Sequence, residues 1–139
     1  ESMGARILVS DVDYISQMWT DRPSLRKDKA WIMEDKYTGE SVSQKLLHLR
    51  NIMADNDYDY TFIGSPEDDC YLLNIRGNDI DYNPVLLSYS LISKDEAYLC
   101  IDEEKIPGEV RDYLEDNGVK VINADGKMTG SRIATIYVK

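Results

Sequence analysis

The segment from Leu72 to Tyr89, LLNIRGNDIDYNPVLLSY, holds the residues of this chain that are best suited to recognise a ligand. Two apolar runs flank a polar centre that contains Arg76, Asp79, Tyr82 and Asn83. The arginine offers a forked set of N–H donors, and the other three side chains offer hydrogen-bond acceptors and donors. Such a set of side chains is suited to binding a ligand. Because the flanking runs favour burial, we expect the polar centre to be a loop at the edge of a sheet.

Local spacing allows two interpretations of this loop. In the first, Asn78, Asp79 and Asn83 satisfy the backbone of a turn, and Arg76 pairs with Asp79 or Asp81. In the second, a rigid scaffold presents the arginine, aspartate, tyrosine and asparagine to a ligand or to a neighbouring domain. The spacing of the residues is compatible with both.

Two predicted helices precede the loop. Residues 41–56 carry the strongest helical pattern, because Ser41 and Gln44 match a capping box. The apolar residues of this helix recur every three or four positions and form one face: Val42, Leu46, Leu49 and Met53. Residues 65–77 predict the next helix, with a proline suited to its first turn and Gly77 able to end it.

The remaining elements follow from shorter patterns. We predict these elements: a helix within residues 10–19, an extended connection over 28–40, strands at 60–64 and 119–122, a hairpin of 85–93 and 97–102, and a helix over 106–118. Strands that alternate with helices around a hairpin predict an α/β fold, with a mixed β-sheet flanked by helices. Because we find no repeat and no low-complexity linker, we expect residues 1–139 to form a single domain.

Other candidate sites have weaker support. The run DNDYDY begins like a calcium loop, but Tyr60 replaces its sharp-turn glycine and Pro66 replaces its closing glutamate. His48 is the only histidine, so we expect a surface or hydrogen-bonded residue rather than a metal ligand. Cys70 and Cys100 are predicted to be reduced core residues. The sequence supports neither a serine triad nor a phosphate-binding glycine loop.

Composition argues against two classes of partner. The chain has 26 acidic and 16 basic residues and a formal net charge of −10, so its average field repels nucleic acids and anionic membranes. No apolar run is long enough to form a membrane helix, and the first residues lack the pattern of a secretion signal. The expected compartment is therefore the cytoplasm.

The central segment is similar to a known family. Residues 71–92 resemble the part of the second N-terminal domain of Xaa-Pro aminopeptidases that reads Trp-Leu-Leu-Asn-(Leu/Ile)-Arg-Gly-x-Asp-(Ile/Val)-x-x-Asn-Pro-Val. WTDRPSL at residues 19–25 and YTGESVSQKLLHLRNIM at residues 37–53 resemble the same domain in the same order. Tyr71 stands where the family usually has tryptophan.

This resemblance implies a creatinase/prolidase N-terminal type of domain with a ribonuclease-H-like sheet. In the complete family a pita-bread catalytic domain follows and binds two divalent metal ions, usually manganese, through two aspartates, a histidine and two glutamates. Because those ligands belong to a part that is absent from this sequence, no catalytic or metal-binding residue is assigned to this chain. The implied partners are the downstream catalytic domain, a second subunit of a homodimer, and peptides with proline in second position.

For the central loop, the resemblance implies that Arg76, Asp79, Tyr82, Asn83 and Pro84 pack toward the substrate cleft or the subunit interface. The leading hypothesis is a noncatalytic domain of a cytoplasmic Xaa-Pro aminopeptidase, inactive as an isolated fragment. The alternative is a stand-alone binding module of the same fold without peptidase activity.

Overall fold

The computed structural model describes residues 11–124, so the tail from residue 125 onward, whose role the sequence leaves open, lies outside the described residues. The helices are α1 (Tyr14–Met18), α2 (Asp35–Thr38), α3 (Val42–Asp55), α4 (Pro66–Leu72) and α5 (Gly108–Asp116), with a 3₁₀ helix at Glu103–Lys105. The strands are β1 (Trp31–Ile32), β2 (Tyr60–Ile63), β3 (Ile75–Arg76), β4 (Tyr89–Ser93), β5 (Ala97–Ile101) and β6 (Val119–Asn123). None of the helices within these residues is long and apolar enough to cross a membrane.

A mixed sheet in the order β2-β4-β5-β6 forms the centre of the fold. β4 pairs antiparallel with β2 and β5, as the predicted hairpin requires, whereas β5 and β6 are parallel. Parallel neighbours need a crossover, and α5 supplies it. β1 and β3 pair separately as a short antiparallel ribbon. The predicted α/β class with a mixed sheet flanked by helices is confirmed.

Helix α3 forms as its sequence predicts. The Ser41 hydroxyl accepts the Gln44 N–H, and the Gln44 side chain accepts the Ser41 N–H, which completes the capping box. Val42, Leu46 and Met53 are buried in the same core cluster as alternate residues of β4 and β5. The periodic apolar face of α3 is therefore the face that the core buries.

Helix α4 begins as predicted but ends at Leu72, four residues before the expected end at Arg76. Asn74 adopts a left-handed φ of 50° and is fully buried. Its side chain accepts a hydrogen bond from Lys45 Nζ at 2.6 Å and donates one to Glu40 O at 2.8 Å. These contacts come from α3 and from the turn before it, so tertiary hydrogen bonds override the local preference for helix.

Two further sequence predictions are corrected by the structure. Residues 28–40 are not one extended connection, because β1 and the single-turn helix α2 lie within them. Strand β4 begins at Tyr89 rather than at Val85. The N–H groups of Leu86 and Leu87 donate to the Cys70 sulfur and to the Asp79 carboxylate, so these two donors are not free for a strand ladder.

The cysteines are free thiols in two different environments. Cys70 lies in the core, and burial raises the pKa of its thiol to about 11. Cys100 is only half buried on β5, so the prediction of a core residue is confirmed for Cys70 alone.

Candidate functional site

Residues 78–84, called the polar loop below, connect β3 to the chain that leads into β4. Asp79 holds the base of this loop: its N–H donates to Val85 O at 3.1 Å, and its Oδ2 accepts the Leu87 N–H at 2.7 Å. The same oxygen accepts from Lys105 Nζ at 2.7 Å, and the two side chains are only 1% and 4% exposed. Asp79 therefore fixes the loop from inside the protein.

This buried pair corrects the ion pairing of Arg76 in the first interpretation of the loop, whereas the Asp79 carboxylate does accept a backbone N–H as that interpretation expects. Asp79 pairs with Lys105 and Asp81 pairs with Arg26, at 2.6 Å, so Arg76 is not the partner of either carboxylate. Lys105 belongs to the 3₁₀ helix, and its carbonyl accepts the Ala30 N–H. The base of the loop is therefore connected to segments on both sides of it in the sequence.

The two ends of the polar loop have further contacts on the surface. Arg26 Nη1 donates to Asn78 O at 3.1 Å as well as to the Asp81 carboxylate. Asn83 Nδ2 donates to Glu67 Oε1 at 2.9 Å, which connects the loop to the first turn of α4. A hydrogen bond to its own backbone N–H, followed by the bond from Asn83, lowers the pKa of Glu67.

Tyr82 lies at the tip of the loop and is fully exposed, with a relative accessibility of 107%. Its φ is 63°, in a region that a residue with a large side chain rarely adopts without support from the surrounding structure. The contacts of Asp79, Asp81 and Asn83 supply that support. The loop thus holds an exposed aromatic ring on an anchored backbone.

Gly77 is required by close packing rather than by a helix cap. A Cβ at this position would lie 2.1 Å from Leu86 Cδ2 and 2.6 Å from its Cγ, and Leu86 is fully buried. The glycine therefore allows the chain to pass directly over the core just before the polar loop begins.

We expect Gly77→Ala to lower the free energy of unfolding by about 1–3 kcal/mol, because Leu86 must repack around the new methyl group. Chemical denaturation of the purified chain measures the change. Gly108→Ala is the matched control, since a Cβ there meets no atom within 4 Å. Equal stabilities of the two variants would contradict the packing role of Gly77.

Arg76 forms no ion pair with the acidic residues of the loop. It lies on β3 opposite Trp31, and its Nη1 donates to Cys70 O at 2.5 Å and to Ile75 O at 2.8 Å. Its side chain also lines a surface groove with Tyr37 and Tyr71. The structure therefore groups Asp79, Tyr82 and Asn83 in one loop and places Arg76 beside a different surface.

A second buried carboxyl group lies beneath the start of β4. Asp69 on α4 is fully buried and accepts a hydrogen bond from the Ser88 hydroxyl. Asp69 Oδ1 and the Ser90 hydroxyl have no hydrogen-bond partner among the described residues. Burial raises the pKa of Asp69 from 3.8 to about 6, since the charged form loses its hydration.

The residues that hold the polar loop carry little signal in the sequence. Lys105 lies in the acidic run DEEKIP, where no local pattern distinguishes a buried lysine from an exposed one. Lys45 did have a signal, because it follows Val42 by three positions and so shares the buried face of α3. A charged residue on an apolar helical face predicts a buried partner, here the Asn74 amide.

The other candidates are surface residues. His48 has a side chain that is 73% exposed, 3.8 Å from a Glu40 oxygen. Asp55, Asp57 and Asp59 are exposed, and Asp59 pairs with Lys94 at 2.8 Å, in agreement with an exposed helix end. Within residues 11–124, no group of three histidine, cysteine or acidic side chains could hold a metal ion.

Together, the sheet and the anchored loop define an α/β domain with an exposed tyrosine at the tip of the loop. A sequence profile of the creatinase/prolidase N-terminal domain matches residues 21–133. The chain belongs to this family. The family expectation drawn from the central segment is thereby confirmed.

Similar proteins place the domain within larger chains. The Neurospora crassa protein named Probable Xaa-Pro aminopeptidase P is 33% identical over 119 residues, which are 85% of this chain and 17% of that protein. A Colletotrichum graminicola protein of the same name is 36% identical over 122 residues, 86% of this chain and 20% of that protein. The chain thus spans about a fifth of the length of these relatives.

A solved structure shows the same fold. The X-prolyl aminopeptidase of Caenorhabditis elegans, described as a cytosolic enzyme with a di-nuclear active site, matches with a TM-score of 0.78 and 30% identity. The match covers 81% of this chain and 18% of that one.

Proposed function

We propose that this chain is a noncatalytic domain of an Xaa-Pro aminopeptidase, an enzyme that removes the N-terminal residue preceding proline. Its role is to shape the substrate cleft or a subunit interface through the polar loop. The observation that carries this role is the exposed Tyr82 ring on a backbone that the buried Asp79–Lys105 pair holds in place. Rigid presentation of an aromatic side chain suits contact with another domain or with a peptide.

The similarity to named aminopeptidases supports the rest of the proposal. In the complete protein, a catalytic domain downstream of this chain would hold two divalent metal ions, with manganese as the expected metal. We further propose that the enzyme is cytoplasmic and dimeric. The cytosolic description of the C. elegans neighbour supports the proposed compartment. The isolated domain is expected to hydrolyse no Xaa-Pro peptide, because no residue of this chain is assigned to the reaction.

We expect Tyr82→Ala in the complete polypeptide to lower kcat/KM for an Xaa-Pro peptide by about tenfold, equivalent to about 1.4 kcal/mol of transition-state binding. Thermal stability should stay unchanged, because an exposed side chain contributes little to folding. Steady-state kinetics and a thermal melt of the same preparations measure both quantities.

Tyr58→Ala provides the matched control. Tyr58 is also exposed, at 45%, but lies between α3 and β2 rather than in the polar loop. Unchanged kinetics for both variants would contradict the role of the loop. A complete polypeptide without Xaa-Pro peptidase activity would instead support a stand-alone binding module.

A further inference from the structure

A groove of about 520 Å³ lies beside β3, and Tyr82 is not one of its lining residues. We call it the Arg76 groove and define it by its lining residues: Met33, Tyr37, Thr38, Tyr71 and Arg76. Tyr37 and Tyr71 are 70% and 56% exposed, so both rings are available to a ligand. The volume is within the range of binding pockets in proteins, and the lining combines apolar surface with one strong cation.

The Arg76 guanidinium is held in place without being neutralised. Its Nη1 donates to two backbone carbonyls, of Cys70 and Ile75. Its Nε and Nη2 donate to no group in the described part of the chain, and no carboxylate there forms an ion pair with it. Nε–H and one Nη2–H point in the same direction and can bind both oxygens of one carboxylate.

A second cation next to the groove is also without an ion pair among residues 11–124. Lys45 is buried, and its Nζ donates to Tyr71 O at 2.7 Å and lies 3.7 Å from the centre of the Tyr71 ring. Burial is the main cause of a lowered pKa for Lys45; the positive charge of Arg76 lowers it further, and the Glu40 and Asp35 carboxylates oppose the shift. The cation that is complementary to an anion here is Arg76 itself, because it lacks a carboxylate partner among the described residues of a chain whose net charge is −10.

We infer that the Arg76 groove binds an acidic side chain, a glutamate or aspartate next to an apolar residue, carried by an internal segment of another protein domain. The carboxylate binds the free edge of the Arg76 guanidinium, and the apolar neighbour packs between Tyr37 and Tyr71. Charge complementarity and the apolar walls together select this chemistry over a simple inorganic anion, which would leave the tyrosine rings uncovered.

A complete protein can supply the proposed segment. This chain covers only 17–20% of its named relatives, so a protein of their length has further domains that can carry an acidic side chain. Binding at the Arg76 groove does not require that the complete protein be a peptidase, and it involves a surface that the Tyr82 variants leave intact.

An NMR titration of the ¹⁵N-labelled 139-residue chain provides the test. The probe is acetyl-Phe-Glu-Leu-amide, in which the glutamate side chain is the only carboxylate. We expect a saturable shift of the Arg76 Nε–Hε signal, and binding at least about tenfold weaker for the glutamine peptide acetyl-Phe-Gln-Leu-amide. A third peptide, acetyl-Phe-Gln-Leu with a free C-terminal carboxylate, carries its only carboxylate at the chain terminus. It therefore distinguishes binding of an acidic side chain from binding of a peptide terminus.

Variants of the chain complete the design. Backbone amide signals should show that Arg76→Met loses binding and that Arg76→Lys weakens it, since lysine keeps the charge without the fork. Arg50→Met is the matched control, because Arg50 is half buried and also donates to a carbonyl, that of Ser93, outside the groove. If Arg76→Met fails to fold, the comparison of peptide binding by Arg76→Lys with peptide binding by Arg50→Met decides the question.

Several outcomes would overturn the inference. Equal binding of the glutamate and glutamine peptides would show that the groove does not recognise the carboxylate. If only the peptide with the free C-terminus binds, the groove is a site for peptide termini. Unchanged binding by the Arg76 variants, or the absence of any shift at millimolar peptide, would show that the groove is not a site for acidic segments.

Discussion

Lys105→Met is expected to lower the free energy of unfolding by roughly 3–5 kcal/mol, because it leaves the Asp79 carboxylate buried and without its cation. The pair is only 2.7 Å apart, and both side chains are almost completely removed from solvent. A remaining Asp79 charge would keep the Leu87 N–H as its only hydrogen-bond donor among the described residues. Urea denaturation at neutral pH measures the loss.

The second half of this experiment separates the charge from the packing. Asp79→Asn removes the negative charge at nearly constant volume, and the double variant Asp79→Asn, Lys105→Met leaves neither charge in the core. We expect the double variant to recover a large part of the stability that Lys105→Met loses. If the two single losses simply add in the double variant, the pair does not act as a coupled unit.

Asp69 is expected to make the domain less stable as pH rises from about 4 to about 6. Its folded-state pKa of about 6 exceeds the ordinary value of 3.8, so the folded protein binds this proton more tightly than the unfolded chain does. The protonated Asp69 contributes its full stabilisation when the pH is below the pKa of Asp69 in the unfolded chain. This contribution is lost as the pH rises through the pKa of Asp69 in the folded protein. A shift of about two units corresponds to about 3 kcal/mol.

The comparison with Asp69→Asn isolates this effect from all other titrating groups. Asparagine cannot ionise, keeps the shape of the side chain and can still accept the hydrogen bond from Ser88. The stability of the variant relative to the parent should therefore increase by about 3 kcal/mol between pH 4 and pH 7. A difference that stays constant over this range would show that Asp69 titrates normally.

Local patterns predicted most of the secondary structure. Helix α3 follows from its capping box and its apolar face, and α5 follows from Pro107 before its first residue and Gly118 after its end, where φ is 77°. The hairpin of β4 and β5 follows from two apolar runs joined by three polar residues. In each of these elements, the residues that decide the structure are neighbours in the sequence.

The anchoring of the candidate site could not be predicted in the same way, since its contacts join distant residues. Asp79 and Lys105 are 26 positions apart, and Arg26 and Asp81 are 55 apart. Asn74 ends α4 early because of Lys45, a residue on another helix. No spacing rule within one segment identifies such partners, and the pairing of Arg76 with Asp79 or Asp81, which one of the two interpretations of the loop contained, is wrong.

The long separations also determine when the polar loop takes shape during folding. β5, α5 and β6 are contiguous in the sequence and close short chain loops, whereas the contacts of Arg26 with Asp81 and of Ala30 with Lys105 close long ones. Closing a long loop costs entropy before its contacts contribute. We therefore expect the sheet and α5 to organise first and Tyr82 to reach its final position late, so that weakened anchors accelerate unfolding more than they slow folding.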